Sequence, residues 1–190
     1  SSSNAHSNSV ADSLRELHHV MLTGLQPDTT YHYRVRVGEN YTADYTFTTL
    51  GAKRFTFIVY GDTRDEAPMF TQLERHKLGA DRIAEEEDVS FVIHTGDLVS
   101  NGNDLEEWGR FFEAGRQMLE EIPIYPVAGN HENRSPNYYE SFGVPQWYSF
   151  DSANTHFSML DSNDGADLDV QAAWLASDLS GDADWKFAVC

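Results

Sequence analysis

The 190-residue chain has little cysteine, little positive charge and no long apolar run. Its single cysteine, Cys190, excludes a disulfide bond within the chain. Lysine and arginine together number 13 against 31 acidic residues, and the resulting net charge of -18 repels a polyanion such as nucleic acid. No apolar run approaches the ~20 residues of a membrane span. The sequence therefore predicts neither a nucleic-acid surface nor a spanning helix, although bound metal ions would let it handle an anionic substrate.

Apolar residues make up 40% of the chain and aromatic residues 13%, which indicates a globular protein with a real core. Between residues 17 and 49, β-branched and aromatic residues alternate with polar ones in the runs "LHHVMLTGL", "TYHYRVRVG" and "ADYTFTTL", a pattern typical of strands. The turn "LQPDTTY" resembles the tyrosine corner of fibronectin-type sandwiches, with Tyr31 as the tyrosine. A generic hairpin is the alternative. On the first interpretation, these are the last strands of a β-sandwich.

From Arg54 onward, apolar runs of strand length alternate with longer amphipathic segments, which favours an α/β fold built from βαβ units. Helices are predicted over residues 66–86, 104–120 and 168–179, with the aromatic residues of the second and third helices in the core. On the third helix, Val170, Trp174 and Leu175 are spaced to lie near one face. The predicted strands are "RFTFIVY", "VSFVIHT", "IPIYPVA", "HFSML" and "WKFAV".

Three of these strands end in a glycine followed by a polar residue. The sequences are "GDTR" with Asp62, "GDLVSNG" with Asp97, and "GNHEN" with Asn130 and His131. Because functional groups in open α/β sheets gather at the carboxyl ends of the strands, these side chains are expected to converge. Two carboxylates, an amide oxygen and an imidazole suit divalent metals, and one carboxylate can bridge two ions. The alternative is that they serve only as turn and capping residues.

The three motifs resemble the first three of the calcineurin-like metallophosphoesterase superfamily, and the preceding β segment resembles the N-terminal domain of purple acid phosphatases. The resemblance implies a four-layer αββα core after residue 54, incomplete in this chain, preceded by a partial β domain over residues 1–50. It further implies that Asp62 is a terminal ligand of the first metal, Asp97 the bridging ligand and Asn130 a ligand of the second metal. His131 would face the substrate and assist the leaving group.

Two positions depart from that resemblance. Many members carry a histidine two places after the first aspartate, where this chain has Arg64, whose guanidinium stays protonated and cannot bind a metal. Purple acid phosphatases carry a tyrosine three places after the second aspartate, where this chain has Ser100. The first metal thus lacks a fourth ligand from either source. Arg64 is expected to donate two hydrogen bonds to a substrate phosphate, as a catalytic residue. The alternative is a surface or helix-capping ion pair.

Other residues near the motifs have less specific predictions. Glu132 is expected to orient His131 or to act as a carboxylate at a helix N-terminus. Asn101 is a candidate to point into the site, and Asp161 a candidate to support it from behind. His94 is expected to be a core histidine, with metal ligation as the alternative. Five other histidines are predicted to lie on strand or helix surfaces, namely His18, His19, His32, His76 and His156.

The resemblance implies a dinuclear centre of Fe, Mn or Zn that cleaves phosphate monoesters or diesters of small molecules with metal-activated water. The alternative is a non-catalytic adhesion or binding module with a degenerate phosphoesterase core. Two further histidine motifs are expected after Cys190, so we expect residues 54–190 to be the N-terminal portion of the catalytic domain, with weak metal binding and little activity. An exposed edge strand would then favour a dimer or a domain swap. The resemblance gives a preference for an extracytoplasmic location.

Overall fold

The computed structural model describes residues 7–12 and 15–190. Its N-terminal part is a set of short strands, and every pairing between them is antiparallel. The predicted run "TYHYRVRVG" is divided between β3 and β4, so the β region holds more and shorter strands than the sequence predicts. The strands are β1 (Ser7–Asp12), β2 (Arg15–Val20), β3 (Thr30–Tyr33), β4 (Arg36–Val37), β5 (Asn40–Tyr41) and β6 (Tyr45–Thr48). The remaining residues of the predicted first domain, 1–6 and 13–14, lie outside the described residues.

The turn before β3 contains the hydrogen bond that a tyrosine corner requires. The backbone N–H of Gln26 donates to the hydroxyl oxygen of Tyr31 at 2.8 Å. The hydroxyl of Thr49, just after β6, donates to the carbonyl oxygen of Gln26 at 2.6 Å and closes the turn from the other side. The predicted contact of Tyr31 with the backbone upstream is therefore present.

After residue 54 the chain forms two sheets of three strands each. The first has the order β7-β8-β9 and is parallel throughout, and the second has the order β10-β11-β12 with one antiparallel and one parallel pairing. The strands are β7 (Thr56–Tyr60), β8 (Val89–His94), β9 (Ile124–Pro126), β10 (Tyr148–Ser152), β11 (Thr155–Met159) and β12 (Trp185–Val189). The helices are α1 (Gln72–Ala84), α2 (Leu105–Leu119), α3 (Pro136–Phe142) and α4 (Leu168–Asp178).

The two sheets pack face to face through aromatic side chains. The ring of Phe91 on β8 meets that of Phe157 on β11 edge-on, with centroids 5.5 Å apart. On the other face of the first sheet, α1 and α2 pack through a cluster that includes Ala80, Met118 and Val92. Helix α4 lies against β10 and β11, where Asp178 accepts hydrogen bonds from both strands. These contacts give the four-layer αββα order, which confirms the predicted fold class.

After residue 54, two elements were not predicted from the sequence, namely α3 and β10. The boundaries of α3 carry recognisable signals: Ser135 caps its N-terminus, Pro136 occupies its first turn, and Gly143 ends it at a φ of 64°. With 7 residues, the helix is too short for its apolar period to show in the sequence. Its Tyr138 is 2% exposed and packs with Trp108, so α3 extends the core below the third motif.

The predicted cores of the helices are confirmed for α2 and only partly for α4. Trp108 and Phe111 are 3% and 0% exposed. Val170 on α4 is 53% exposed, although the spacing in the sequence places it on the same face as Trp174. Within the described residues, no helix combines the length and the apolar character needed to cross a bilayer.

Candidate metal centre

The three predicted motifs follow three neighbouring parallel strands, β7, β8 and β9, so their loops lie side by side. The loop after β8 lies in the middle and carries Asp97. The loop after β7 is bonded to it twice: the N–H of Asp62 donates to the carbonyl of Gly96 at 3.1 Å, and that of Arg64 to the carbonyl of Asp97 at 3.2 Å. The sheet order therefore places the predicted bridging carboxylate between the other two predicted ligand positions.

The loop after β9 approaches the Asp97 loop so closely that only glycine fits at the contact. A Cβ atom on Gly129 would lie 2.2 Å from Oδ1 of Asp97, and one on Gly96 would lie 2.7 Å from Cα of Gly129. The backbone N–H of His131 donates to Oδ1 of Asp97 at 3.2 Å. The glycines of the second and third motifs are thus explained by close approach of two backbones.

The backbones of Asp62 and Asp97 adopt an unusual conformation. Both have a φ of 55°, in the left-handed region that non-glycine residues rarely occupy. Such backbone positions concentrate at functional sites, where the surrounding structure holds them in place. The matching geometry gives the two aspartates equivalent positions at the ends of β7 and β8.

The donor chemistry of this edge fits a divalent cation. Asp62 and Asn130 are exposed and Asp97 is half-buried, so the two carboxylates and the amide are open to solvent at one end of the sheet. Oxygen donors of this kind suit Mg, Mn and related ions. Among the described residues, however, no three His, Cys, Asp or Glu side chains converge closely enough to hold a metal. The predicted protein ligands are accordingly Asp62, Asp97 and Asn130 alone.

Arg64 lies inside the site. Its Nε donates to Oδ2 of Asp97 at 3.3 Å and its Nη1 to the carbonyl of Asp65 at 3.2 Å, while 28% of its side chain is exposed. The sequence left open whether Arg64 forms an ion pair or binds substrate. The structure shows an ion pair, and the partner is the central carboxylate of the site.

The imidazole of His131 has a fixed orientation. Its Nδ1 lies 2.8 Å from the carbonyl oxygen of Ser100, which can only accept a hydrogen bond, so Nδ1 is the protonated nitrogen. Its Nε2 lies 3.9 Å from Oδ2 of Asp97, and about a third of the side chain is exposed. The loop backbone therefore directs Nε2 toward the central carboxylate.

Glu132 does neither of the two things that the sequence suggested. It is 0% exposed, and its carboxylate accepts hydrogen bonds from the backbone N–H groups of Asp97, Val99 and Gly129, at 2.9, 3.1 and 2.6 Å. Burial raises the pKa of Glu132, an effect that these three hydrogen bonds partly offset. The prediction of a His131 partner or a helix-capping carboxylate was wrong because these loop amides point inward.

Asp161 supports the site from behind, as the sequence suggested. It is 0% exposed, and its Oδ1 accepts from the side-chain amide of Asn163, which also donates to the carbonyl of Ala128 at 2.9 Å, two residues before Asn130. Burial would raise the pKa of Asp161, but hydrogen bonds from Gln146 and Asn163 outweigh it and hold the pKa below the usual range. Asn163 was missed because it belongs to no motif.

His94 is a core histidine, as expected. It is 0% exposed, its Nδ1 accepts from the N–H of Gly96 at 3.3 Å, and its Nε2 lies 3.0 Å from the hydroxyl of Thr63. Burial and the neighbouring His76 lower its pKa well below the usual value. His94 thus contacts the loop of the first motif through Thr63 and the loop of the second motif through Gly96.

One candidate site residue, Asn101, and two surface predictions, His76 and His156, were wrong. Asn101 uses its side-chain oxygen to accept from the N–H of Asn103 at 3.1 Å, so it shapes its own turn. His76 is 0% exposed between α1 and α2, where burial lowers its pKa to about 4. His156 has a side chain only 14% exposed. His76 is covered by α2, and His156 bonds to Asp178 on α4, so both are covered by helix packing that local spacing does not show.

Comparison with known proteins places these observations in a family context. Residues 55–189 match the family described as "Calcineurin-like phosphoesterase", and residues 1–49 match "Purple acid Phosphatase, N-terminal domain". Over 86% of its length, the chain is 27% identical to purple acid phosphatase 23 of Arabidopsis thaliana, spanning 44% of that protein. Over the same share it is 26% identical to a phosphoenolpyruvate phosphatase of Allium cepa, spanning 38% of it.

A solved structure shows the same fold. The purple acid phosphatase PPD1 from yellow lupin seeds superimposes with a TM-score of 0.72 and 17% identity, over 97% of this chain and 42% of the lupin chain. The chain therefore spans about two fifths of the length of the relatives it matches.

Proposed function

Because the chain belongs to the calcineurin-like phosphoesterase family, we propose that it carries part of the active site of a metal-dependent phosphoester hydrolase. One observation carries the proposal: the loops after three adjacent parallel strands bring Asp62, Asp97, Asn130 and His131 to one end of the first sheet, with Asp97 in the centre. The substrate class is a phosphate monoester or diester of a small molecule.

We propose that Asp62, Asp97 and Asn130 are metal ligands and that the carboxylate of Asp97 is shared by two ions. When bound, such ions would polarise a phosphoryl oxygen and lower the pKa of a nearby water. The donor set consists of oxygens only, which favours Mn over Zn and Fe among the three predicted metals. The predicted dinuclear centre needs further ligands besides the three that these loops provide.

His131 and Arg64 are proposed to act on the substrate. The proton on Nδ1 of His131 is held by the Ser100 carbonyl, so Nε2 is the nitrogen that accepts or donates a proton at the departing oxygen. The guanidinium of Arg64 is paired with Asp97 and about a quarter exposed, which allows its free N–H groups to fork onto a phosphate. Arg64 would thus bind the phosphate group, and His131 would exchange a proton with the leaving oxygen.

A non-catalytic binding module is the competing function. The observation that favours it is the ion pair between Arg64 and Asp97, because a fixed cation already neutralises the carboxylate that a metal would need. A family member that has lost its metals would retain the fold and this ion pair. The two functions differ in whether Asp97 must bind metal.

Replacement of Asp97 tests the proposal. Asp97→Asn removes one negative charge and keeps the shape, so an enzyme should lose metal affinity and hydrolysis of p-nitrophenyl phosphate. Asp104→Asn is the matched control, because Asp104 caps α2 outside the site and asparagine caps equally well. Equal metal binding and turnover in both variants would refute the proposal. In the 190-residue chain itself, weak metal binding and slow hydrolysis are expected from the small number of ligands.

We also propose a domain boundary, a location and a mode of association for this protein. The domain boundary is placed between residues 50 and 54, and the location of the protein outside the cytoplasm stays a prediction. Association is proposed through β12, which is an edge strand of the second sheet and exposes Trp185 by 62% and Phe187 by 40%. Sedimentation as a clean monomer would contradict the last of these.

A further inference from the structure

The side chain of Glu132 joins two loops that carry different proposed metal ligands. Its Oε2 accepts from the N–H of Asp97 at 2.9 Å and from the N–H of Gly129 at 2.6 Å. One oxygen atom therefore bonds to the Asp97 loop and to the Asn130 loop at once. Its Oε1 accepts from the N–H of Val99 at 3.1 Å, which adds a second bond to the Asp97 loop.

We propose that Glu132 is a positioning residue that fixes the spacing between Asp97 and Asn130 before any metal binds. This inference rests on the proposed function. The two loops meet through glycines, and two hydrogen bonds at the exposed side of the contact join them: the N–H of His131 donates to Oδ1 of Asp97 and Nδ1 of His131 to the carbonyl of Ser100. The carboxylate of Glu132 adds a buried connection beneath these bonds, because its three amide hydrogen bonds reach both loops at once.

The side chains of this turn face in two directions. Glu132 is 0% exposed, whereas Asn130 is exposed and His131 is half-exposed. The turn is closed by the N–H of Asn133, which donates to the carbonyl of Asn130 at 3.2 Å. Glu132 thus points inward, where it bonds the two loops, and the two preceding side chains face the proposed site.

Only a glutamate satisfies this geometry. Glutamine would keep one acceptor oxygen but would turn an NH2 group toward backbone N–H groups, which are donors themselves. Aspartate would keep both acceptors but would be shorter by one methylene, about 1.5 Å. We therefore expect Glu132→Gln to loosen the two loops and Glu132→Asp to have an intermediate effect.

Glu107 provides a matched control. Its Oε2 also accepts from two backbone N–H groups, those of Ser100 and Asn101, at 2.6 and 3.0 Å. Both of these amides belong to the Asp97 loop, so Glu107 ties nothing to the Asn130 loop. Glu107→Gln should lower general stability while it leaves the spacing between Asp97 and Asn130 unchanged.

The experiment measures Co2+ binding by its visible absorption in the wild-type chain and in the three variants. Loss of a residue that orients metal ligands typically costs about 10–100-fold in metal affinity, and we expect that loss for Glu132→Gln. Glu107→Gln should bind Co2+ within about 2-fold of the wild type, since it does not touch the Asn130 loop. Equal affinity of Glu132→Gln and wild type, or an equal loss in Glu107→Gln, would overturn the inference.

Amide hydrogen exchange without metal gives an independent result. The amides of Asp97, Val99 and Gly129 should exchange faster in Glu132→Gln, while that of Val92 in the core of β8 should not change. If the wild-type chain binds no Co2+, the proposed metal site is refuted, and exchange alone decides the role of Glu132: unchanged protection at Gly129 overturns it. If Glu132→Gln does not fold, the same comparison is made with Glu132→Asp.

Discussion

Nδ1 of His131 donates to the carbonyl oxygen of Ser100 at 2.8 Å, and this bond sets the chemistry of the exposed imidazole. A carbonyl oxygen cannot donate, so the neutral ring carries its proton on Nδ1 and leaves Nε2 free to accept one. Ser100 follows β8 and His131 follows β9, and these two strands are neighbours in the sheet. Their loops therefore bring the Ser100 carbonyl to Nδ1 of His131, and this contact fixes the tautomer of His131.

Replacement of His131 should reduce turnover far more than metal binding. His131→Ala removes the group that we propose serves the leaving oxygen, and loss of such a group lowers kcat by about 100-fold to 10,000-fold. Steady-state hydrolysis of p-nitrophenyl phosphate and calorimetric titration with Mn2+ give the two quantities. His32→Ala is the control, because His32 is an exposed histidine that pairs with Asp44 in the β region. An unchanged kcat would remove His131 from the reaction.

Arg64→Ala should weaken the binding of phosphate esters. Hydrogen bonds to charged groups contribute about 1.5–3 kcal/mol, so KM should rise by roughly 10–100-fold with a smaller change in kcat. Metal affinity should not fall, because the change removes a positive charge from Oδ2 of Asp97.

The matched control for this prediction is Arg110→Ala. Arg110 has a similarly exposed side chain, 34% against 28%, and its Nη2 lies 3.7 Å from Oδ2 of Asp65. The Arg110→Ala variant therefore loses an arginine near the same loop, and its contacts with Asp97 do not change. If the KM of both variants equals that of the wild type, Arg64 is only the counter-ion of Asp97.

The side chain of His156 is held between two carboxylates. Its Nδ1 lies 2.7 Å from Oδ1 of Asp151 on β10, and its Nε2 lies 2.8 Å from Oδ2 of Asp178 on α4. Ionised carboxylates only accept, so both ring nitrogens donate and the ring is an imidazolium. Burial would lower the pKa of His156, but the hydrogen bonds and charges of Asp178 and Asp151 outweigh it and raise the pKa.

The contacts of His156 with Asp151 and Asp178, which we call the His156 clasp, should make the free energy of unfolding depend on pH. The pKa of His156 is raised, so its contribution is complete below the unfolded value of about 6.5 and is lost as the pH rises through the folded value. The pKa of Asp178 is lowered, because hydrogen bonds from Ser158 and His156 outweigh burial, and its contribution is lost as the pH falls below about 3.9. The clasp is therefore strongest between about pH 4 and about pH 6.5.

Urea unfolding of the wild type and His156→Gln checks this. We expect the variant to lose about 1–3 kcal/mol near pH 5.5 and less near pH 9, because the contribution of His156 falls as the ring loses its proton. Lys186→Gln is the control for nearby charge, since Lys186 is the partner of His156 on β12 and bonds the carbonyl of Leu179. A difference between wild type and His156→Gln that is equal at both pH values would contradict the clasp.

Tyr31→Phe should destabilise the β region by about 1 kcal/mol, since it removes one hydrogen bond from a half-buried tyrosine and leaves the N–H of Gln26 without its acceptor. Thermal unfolding of the variant measures the change. Tyr41→Phe is the control, because the ring of Tyr41 is 58% exposed. Equal melting temperatures of the two variants would mean that the tyrosine corner contributes nothing.

Much of the fold was readable from the sequence because its signals are local. The strands β7, β8 and β11 are short apolar runs, and the amphipathic period of α2 is carried by large aromatic residues such as Trp108. Helix α3 and strand β10 were missed because they are short and follow one another without a periodic pattern. The boundaries of α1 were predicted too widely at its start, where the capping box at Thr71 gives the true beginning.

The sequence by itself determined the three glycine-led motifs, the order of the strands that precede them and the oxygen donors of Asp62, Asp97 and Asn130. Only the tertiary structure decided how these residues are held. The pairing of Arg64 with Asp97 and the three amides bound by Glu132 join loops that lie about 30 residues apart in the chain. Parallel strands bring such loops together only once the sheet is formed, so no local pattern specifies which partner a buried carboxylate will find.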